Sequence, residues 1–204
     1  MKYPIGIQDF EKIIEGGYVY LDKTALVYDL VTNGKIYLLY RPRRFGKSLL
    51  VSTLKYYFEG KKELFKGLAI DKLEKDWKQY PVFHLSFGGQ NFVEPYALDK
   101  VLEEFVAMAE RIYGREELAE TLGSRFKAVL GNAHKKTGMR AVVLIDEYDK
   151  PLLDVMDMDI PVGKTQNKIS LEEYNRNLLK GFYSVFKAAD ANLQFVLLTG
   201  VTKF

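Results

Sequence analysis

At 204 residues the chain is long enough for one large or two small domains, and its 48% apolar and 14% aromatic content supplies a substantial core. A net charge of +3 is too small to argue nucleic-acid binding by itself, and the absence of cysteine excludes disulfides and thiolate metal sites. With two histidines, no stretch near the roughly 20 apolar residues of a membrane span, and no apolar run after Met1-Lys2-Tyr3-Pro4-Ile5, the expectation is a cytoplasmic chain with no membrane role and no histidine-rich metal centre.

In chain order, Phe10, Ile13 and Ile14 share the face of a short helix stopped by Gly16-Gly17, and Tyr18-Val19-Tyr20 reads as a short strand. Asp22 or Thr24 caps a helix carrying Leu26, Val27, Leu30 and Val31 on one face, and Asn33-Gly34 ends it. Residues 36–40 form an apolar strand that runs into Arg41-Pro42-Arg43-Arg44-Phe45-Gly46-Lys47-Ser48. Helical spacing follows at Leu49, Leu50, Val51, Leu54, Tyr57 and Phe58, up to Gly60. Residues 61–80 are lysine-rich and amphipathic, the pattern of a solvated helical face over a core. Residues 81–87 read as a buried strand, with His84 a core or edge histidine. Helices are expected at 95–112 and 115–136. Residues 141–145 are an unbroken apolar run, typical of a central parallel strand. Residues 155–170 read as a polar loop. A capping box of Ser170 with Glu173 opens a helix that buries Leu171, Tyr174, Leu178, Phe182, Val185 and Phe186, and a last strand lies near 194–199.

The run 41–48 matches the phosphate-loop pattern G-x-x-x-x-G-K-[ST], except that Arg41 stands where the first glycine is usual. The strand before it and the helix after it are the context the motif requires. The helix N-terminus offers unpaired N–H groups and positive dipole to a phosphate. Lys47 would reach the β/γ-phosphates and the Ser48 hydroxyl would ligate Mg²⁺. Arg43, Arg44, Phe45, Gly46, Lys47, Ser48 and Leu49 are the candidate nucleotide-contacting residues, with Arg43 and Arg44 either touching phosphate or solvated. Glycine normally lets the chain turn tightly without a Cβ, but Arg41 precedes Pro42 and is thereby pushed towards extended backbone, which suits a strand exit. Gly163-Lys164-Thr165 is a second match to the short core of the motif. No apolar strand leads into it and no apolar helix follows, so it reads as a chance match in a loop.

The apolar run 141–145 ends in Asp146-Glu147, the Walker B pattern. Asp146 would hold Mg²⁺ and Glu147 would act as general base on the attacking water. Ligands in open parallel sheets gather at the carboxyl ends of the strands, so the two motifs can converge on one phosphate. Asp149 is expected to cap a helix, with a place behind Mg²⁺ as the alternative. Thr199 or Thr202, after the last strand, is expected to reach the γ-phosphate or the water.

Four segments carry a family resemblance: 17–24 (Gly-Tyr-Val-Tyr-Leu-Asp-Lys-Thr), 41–50, 144–151 and 198–204. Together they resemble the bacterial AAA-ATPase-like family, in which the Arg-Pro-Arg-Arg-Phe-Gly-Lys-Ser form makes Arg41 a family trait. The resemblance implies that Lys47, Ser48, Asp146 and Glu147 keep the roles above. It also implies that the ATPase region precedes a helical region and a C-terminal domain similar to PD-(D/E)XK nucleases. A lid, an arginine finger and nuclease carboxylates would then lie beyond the chain or in a neighbour.

The expectation is therefore one α/β domain over residues 1–204, the N-terminal part of a longer protein. It is a P-loop NTPase with a parallel sheet and helices on both faces, in three α/β/α layers. The strand order places 36–40 beside the last strand, then 141–145, then 81–87. Its activity is ATP hydrolysis at the β–γ bond with Mg²⁺, catalysed by Lys47, Glu147 and Thr199 or Thr202. A missing Asn-Lys-x-Asp signature favours ATP over GTP. Three alternatives stand beside it: a nucleotide switch with little turnover, a small-molecule kinase, and a nucleic-acid-binding module using Arg43, Arg44 and the 61–80 lysines. A homo-oligomer is left open.

Overall fold

The run Ala141–Asp146 is buried at every position, which only a central strand covered on both faces allows. The computed structural model containing it describes residues 1–163 and 168–203. In chain order the elements are α1 (Phe10–Glu15), α2 (Thr24–Asn33), β1 (Ile36–Tyr40), α3 (Lys47–Phe58), α4 (Ala69–Leu73), β2 (Val82–Ser86), α5 (Ala97–Tyr113), α6 (Leu122–Thr137), β3 (Ala141–Asp146), α7 (Lys150–Leu153), β4 (Pro161–Val162), β5 (Ile169–Ser170), α8 (Leu171–Tyr183), α9 (Val185–Ala188) and β6 (Leu193–Gly200). The main sheet is parallel throughout, in the order β1-β6-β3-β2. This is the α/β architecture and the strand order that the sequence pattern implies.

Alternate residues of the two inner strands feed two cores. Val143, Ile145, Val196 and Leu198 pack with residues of α5, α6, α8 and α9. Val142, Leu144, Phe195 and Leu197 pack with residues of α1, α2 and α3 on the other face. β1 is an edge strand. Tyr37 and Leu39 pack inward, while Ile36, Leu38 and Tyr40 point outward and are 51%, 42% and 46% exposed.

The helix that follows the phosphate-loop motif is bolted down from the N-terminus. Asp9 caps α1 by accepting from Lys12 N (3.0 Å), and its other oxygen accepts from Ser52 Oγ and Tyr56 Oη of α3 (3.4 and 3.1 Å). Asp22 ties the start of α2 to α4, accepting from Thr24 N, Thr24 Oγ1 and Ala69 N at 2.7–2.8 Å. These bonds give the 17–24 segment a structural task.

Five local expectations are corrected. Residues 18–20 form no strand; one bond, Val19 N to Lys2 O (2.8 Å), ties them to the N-terminal segment. Leu26, expected on the buried face of α2, is 65% exposed. Residues 61–80 are not one helix: a 3₁₀ turn buries Leu64 and Phe65, α4 buries Ile70, and the chain then runs without regular structure to β2. The helix expected from 115 begins at Leu122, where Thr121 and Ser124 form a reciprocal cap that fixes the start. Residues 155–170 contain the antiparallel pair β4–β5, whose Val162 packs with Val155 and Leu171. Lys164 and Thr165 of the second Gly-Lys-Thr match lie outside the described residues. His84 is on edge strand β2 and exposed, as an edge histidine. No helix among the described residues is long and apolar enough to cross a membrane.

α5 and α6 are joined by one buried ion pair. The Arg125 guanidinium, 6% exposed, donates to both Glu110 oxygens (2.9 and 2.7 Å) and to the half-exposed Glu103 (2.7 Å). Hydrogen bonds from Arg125 hold the Glu110 carboxyl below its ordinary value of 4.5, against the opposing effect of burial. Removing one partner of a buried pair leaves the other charge uncompensated, so Glu110→Gln is expected to cost about 3 kcal/mol at pH 7. A carboxyl with a depressed folded-state pKa stabilises above its unfolded value and loses that contribution as pH falls. The gap between wild type and variant, measured by urea denaturation, should therefore shrink below pH 4.5. A gap that stays constant through that range would contradict the assignment.

Candidate functional site

The phosphate-loop motif leaves β1 without breaking its ladder. Arg41 N still donates to Gly200 O of β6 (3.0 Å), so position 41 behaves as strand. A residue held in an extended ladder needs no glycine, which accounts physically for arginine at this place. The turn comes later, at Arg44 (φ 68) and Gly46 (φ 75). A non-glycine residue in this left-handed region costs about 1–2 kcal/mol, a cost that Arg44 bears in an exposed loop.

α3 starts at Lys47 with no side-chain cap, whereas α1, α6 and α8 are capped by Asp9, Thr121 and Ser170. Its first-turn N–H groups thus face the loop. Lys47 is 8% exposed, and its ammonium donates inward to Arg41 O (2.8 Å) and Pro42 O (3.0 Å). Arg43 and Arg44 are exposed, and the Phe45 ring is 69% exposed. Ser48 and Leu49 are half-buried on the first turn.

Across β6 lies the end of β3. Because β1 and β3 both pair with β6, their ends lie about 10 Å apart. Asp146 is 5% exposed. Its Oδ1 accepts from Thr199 Oγ1 and from Glu147 N (3.1 Å), and Oδ2 takes no hydrogen bond among the described residues. Glu147 is left-handed (φ 56), and its carboxylate lies against Gly88 after β2, where a Cβ would come within 3.3 Å of Oε2. Among the described residues no three His, Cys, Asp or Glu side chains form a metal cage. One carboxylate with an open oxygen and one serine hydroxyl is the donor set that suits Mg²⁺, which keeps waters and takes substrate phosphates rather than an all-protein shell.

Asp149 does not cap the helix as expected. It sits at the N-cap position of α7 and makes no side-chain cap bond there. Its Oδ2 instead accepts from Val201 N (2.6 Å), Thr202 N (2.6 Å) and Thr202 Oγ1 (2.9 Å). The hydroxyls of both candidate threonines are therefore engaged with acids of the 146–149 segment, Thr199 with Asp146 and Thr202 with Asp149. Gly88 and Gly200 were not legible as site residues, because their contacts come from segments distant in sequence. Two clefts, of 380 and 250 Å³, lie away from this end of the sheet, along α6 and beside Lys78, His134 and Arg140.

A phosphate-loop strand and an Asp-Glu strand flanking a common neighbour is the geometry that gives family comparison its meaning. The model of the family described as "Predicted AAA-ATPase" matches residues 4–204. The chain belongs to this family. An "Uncharacterized protein in vnfD 5'region" from Azotobacter chroococcum mcd 1 is 40% identical over 205 residues, covering all of this chain and 38% of its own length. The chain thus spans well under half of that relative. No solved structure matches.

In this AAA-ATPase-like chain, Gly200 leaves no room for a side chain where the 199–202 turn meets the 146–149 segment. A Cβ there would come 2.5 Å from the Tyr148 ring and 2.8 Å from Asp149 Cγ. Gly200→Ala is expected to lower stability by about 1–3 kcal/mol, measured by urea denaturation. An unchanged midpoint would show that the two segments are not held against each other.

Proposed function

We propose that the chain binds ATP with Mg²⁺ and hydrolyses its β–γ phosphate bond. The observation that carries this reading is the convergence of the uncapped α3 N-terminus with its Lys47, and the Asp146-Glu147 pair, on the two sides of β6. Backbone N–H groups from Arg44 to Ser48 and the first-turn Leu49 would bind phosphate oxygens, with Arg43 and Arg44 adding positive charge. Lys47 would exchange the Arg41 and Pro42 carbonyls for the β/γ-phosphates and oppose the charge that develops on them. Ser48 and the open oxygen of Asp146 would hold Mg²⁺, which neutralises charge between the β- and γ-phosphates when bound. Glu147 would accept the proton of the attacking water. Thr199 would orient Asp146, and Thr202 would act through Asp149 rather than at the phosphate.

A second reading, a nucleotide switch with little turnover by itself, draws on the openness of the loop. With Phe45 69% exposed, water is not excluded from this end of the sheet by the described residues, and hydrolytic sites gain from exclusion. A second copy, or a further region of a longer protein, would cover it. For such a longer protein, a nuclease-like domain and nucleic acid as partner follow from the family resemblance alone.

Phosphate release from ATP·Mg²⁺ tests the main reading. Glu147→Gln should keep nucleotide binding and lose turnover, while Lys47→Ala should lose both. ATP·Mg²⁺ at 100 times Kd should stabilise the wild type by about 2.7 kcal/mol, with a smaller effect from GTP·Mg²⁺ at the same concentration. Equal turnover in wild type and Glu147→Gln would overturn the assignment of the base.

A further inference from the structure

The 146–149 and 199–202 segments are joined by more bonds than strand pairing requires. Tyr148 N donates to Thr199 O (2.8 Å), beyond the last β3–β6 partners Ile145 and Leu198. Tyr148 Oη donates to Thr202 O (2.8 Å). The Asp149 carboxylate, 1% exposed, then gathers Val201 N, Thr202 N and Thr202 Oγ1 on a single oxygen. Burying a carboxylate is costly unless hydrogen bonds compensate it, and three charge-assisted donors do so here. No cation pairs with it among the described residues; the neighbouring Lys150 ammonium goes to Asp154 (2.5 Å).

The clamped turn is also where the two halves of the candidate site meet. Gly200 O receives Arg41 N, the root of the phosphate loop. Thr199 Oγ1 holds the Asp146 carboxylate, the candidate metal ligand. A shift of this turn would therefore move Asp146 relative to the loop while leaving the α3 N–H groups in place, and would reach Lys47 only through Arg41, whose carbonyl holds the ammonium.

Resting on the ATPase reading above, we propose that Asp149 is a positioning residue for hydrolysis: by clamping the 200–202 turn it keeps Thr199 on Asp146 and the phosphate loop in register with the Asp-Glu pair. It touches neither nucleotide nor metal and acts through Thr199 and Gly200. A residue with this role affects turnover more than nucleotide affinity, because the phosphate-binding groups lie on a different element.

The test compares wild type, Asp149→Ala and Asp149→Asn for kcat, KM for ATP·Mg²⁺ and bound ATP per chain. Asp149→Ala should lower kcat by about 10- to 100-fold per nucleotide-binding chain, the scale of a small misplacement of a reacting group. KM for ATP·Mg²⁺ should change by clearly less than kcat, because the phosphate-binding N–H groups at the start of α3 stay in place. Asp149→Asn keeps an acceptor oxygen and should fall between the two, and it carries the test if the alanine variant does not fold. A kcat per binding chain unchanged in both variants, or a loss that appears equally in ATP binding, overturns the proposal while leaving the ATPase reading intact. A wild type that neither binds nor hydrolyses ATP overturns both.

Discussion

β6 is the strand on which the rest of the candidate site depends. On one side its Gly200 carbonyl takes the N–H of Arg41, so the phosphate loop starts from a fixed ladder position. On the other its Thr199 hydroxyl holds Asp146 at the end of β3. Parallel pairing on both edges sets the two motifs at one level and about two strand spacings apart. No linker or flexible loop is needed to bring them together. The burial of β6 along nearly its whole length, with one residue of eight half-buried, is what makes that placement rigid.

Local strain and close packing are also found at this end of the sheet. Arg44 and Glu147 both sit in the left-handed backbone region, and Gly200 is pressed against Tyr148 and Asp149. Such conformations persist only where the surroundings determine them. For Glu147 the surroundings are its own N–H bond to Asp146 and the ladder bond of the next residue, Tyr148. Further from the site, Asp9 and Asp22 perform comparable work for α1 and α2. Acidic side chains that satisfy several donors at once are thus a recurring means by which this chain fixes its elements.

Much of this was legible in the residues themselves. The unbroken apolar run 141–145 announces a doubly covered strand, and the run 36–40 followed by Pro42 announces a strand that exits extended. The Ser170 cap marks the start of α8. The sequence misled where local pattern and tertiary packing disagree. Leucine and lysine spacing over 61–80 imitates a helix, yet Leu64, Phe65 and Ile70 are buried by two separate short turns. Asp149 looks like a helix cap because it precedes Lys150-Pro151, and nothing local reveals that Val201 and Thr202 offer it three donors. Gly200 was silent for the same reason: what demands glycine there is a ring and a carboxylate from another segment.

The central claim is that one carboxylate at the end of β3 and the loop at the end of β1 form a single Mg²⁺-dependent nucleotide site. Equilibrium titration of ATP into wild type and Asp146→Asn, with Mg²⁺ and with EDTA, tests it most directly. Wild type should bind more tightly with Mg²⁺, and Asp146→Asn should lose that difference while still binding ATP through the loop. Mg²⁺ dependence that survives in Asp146→Asn, or saturable binding that survives Lys47→Ala, would contradict the account.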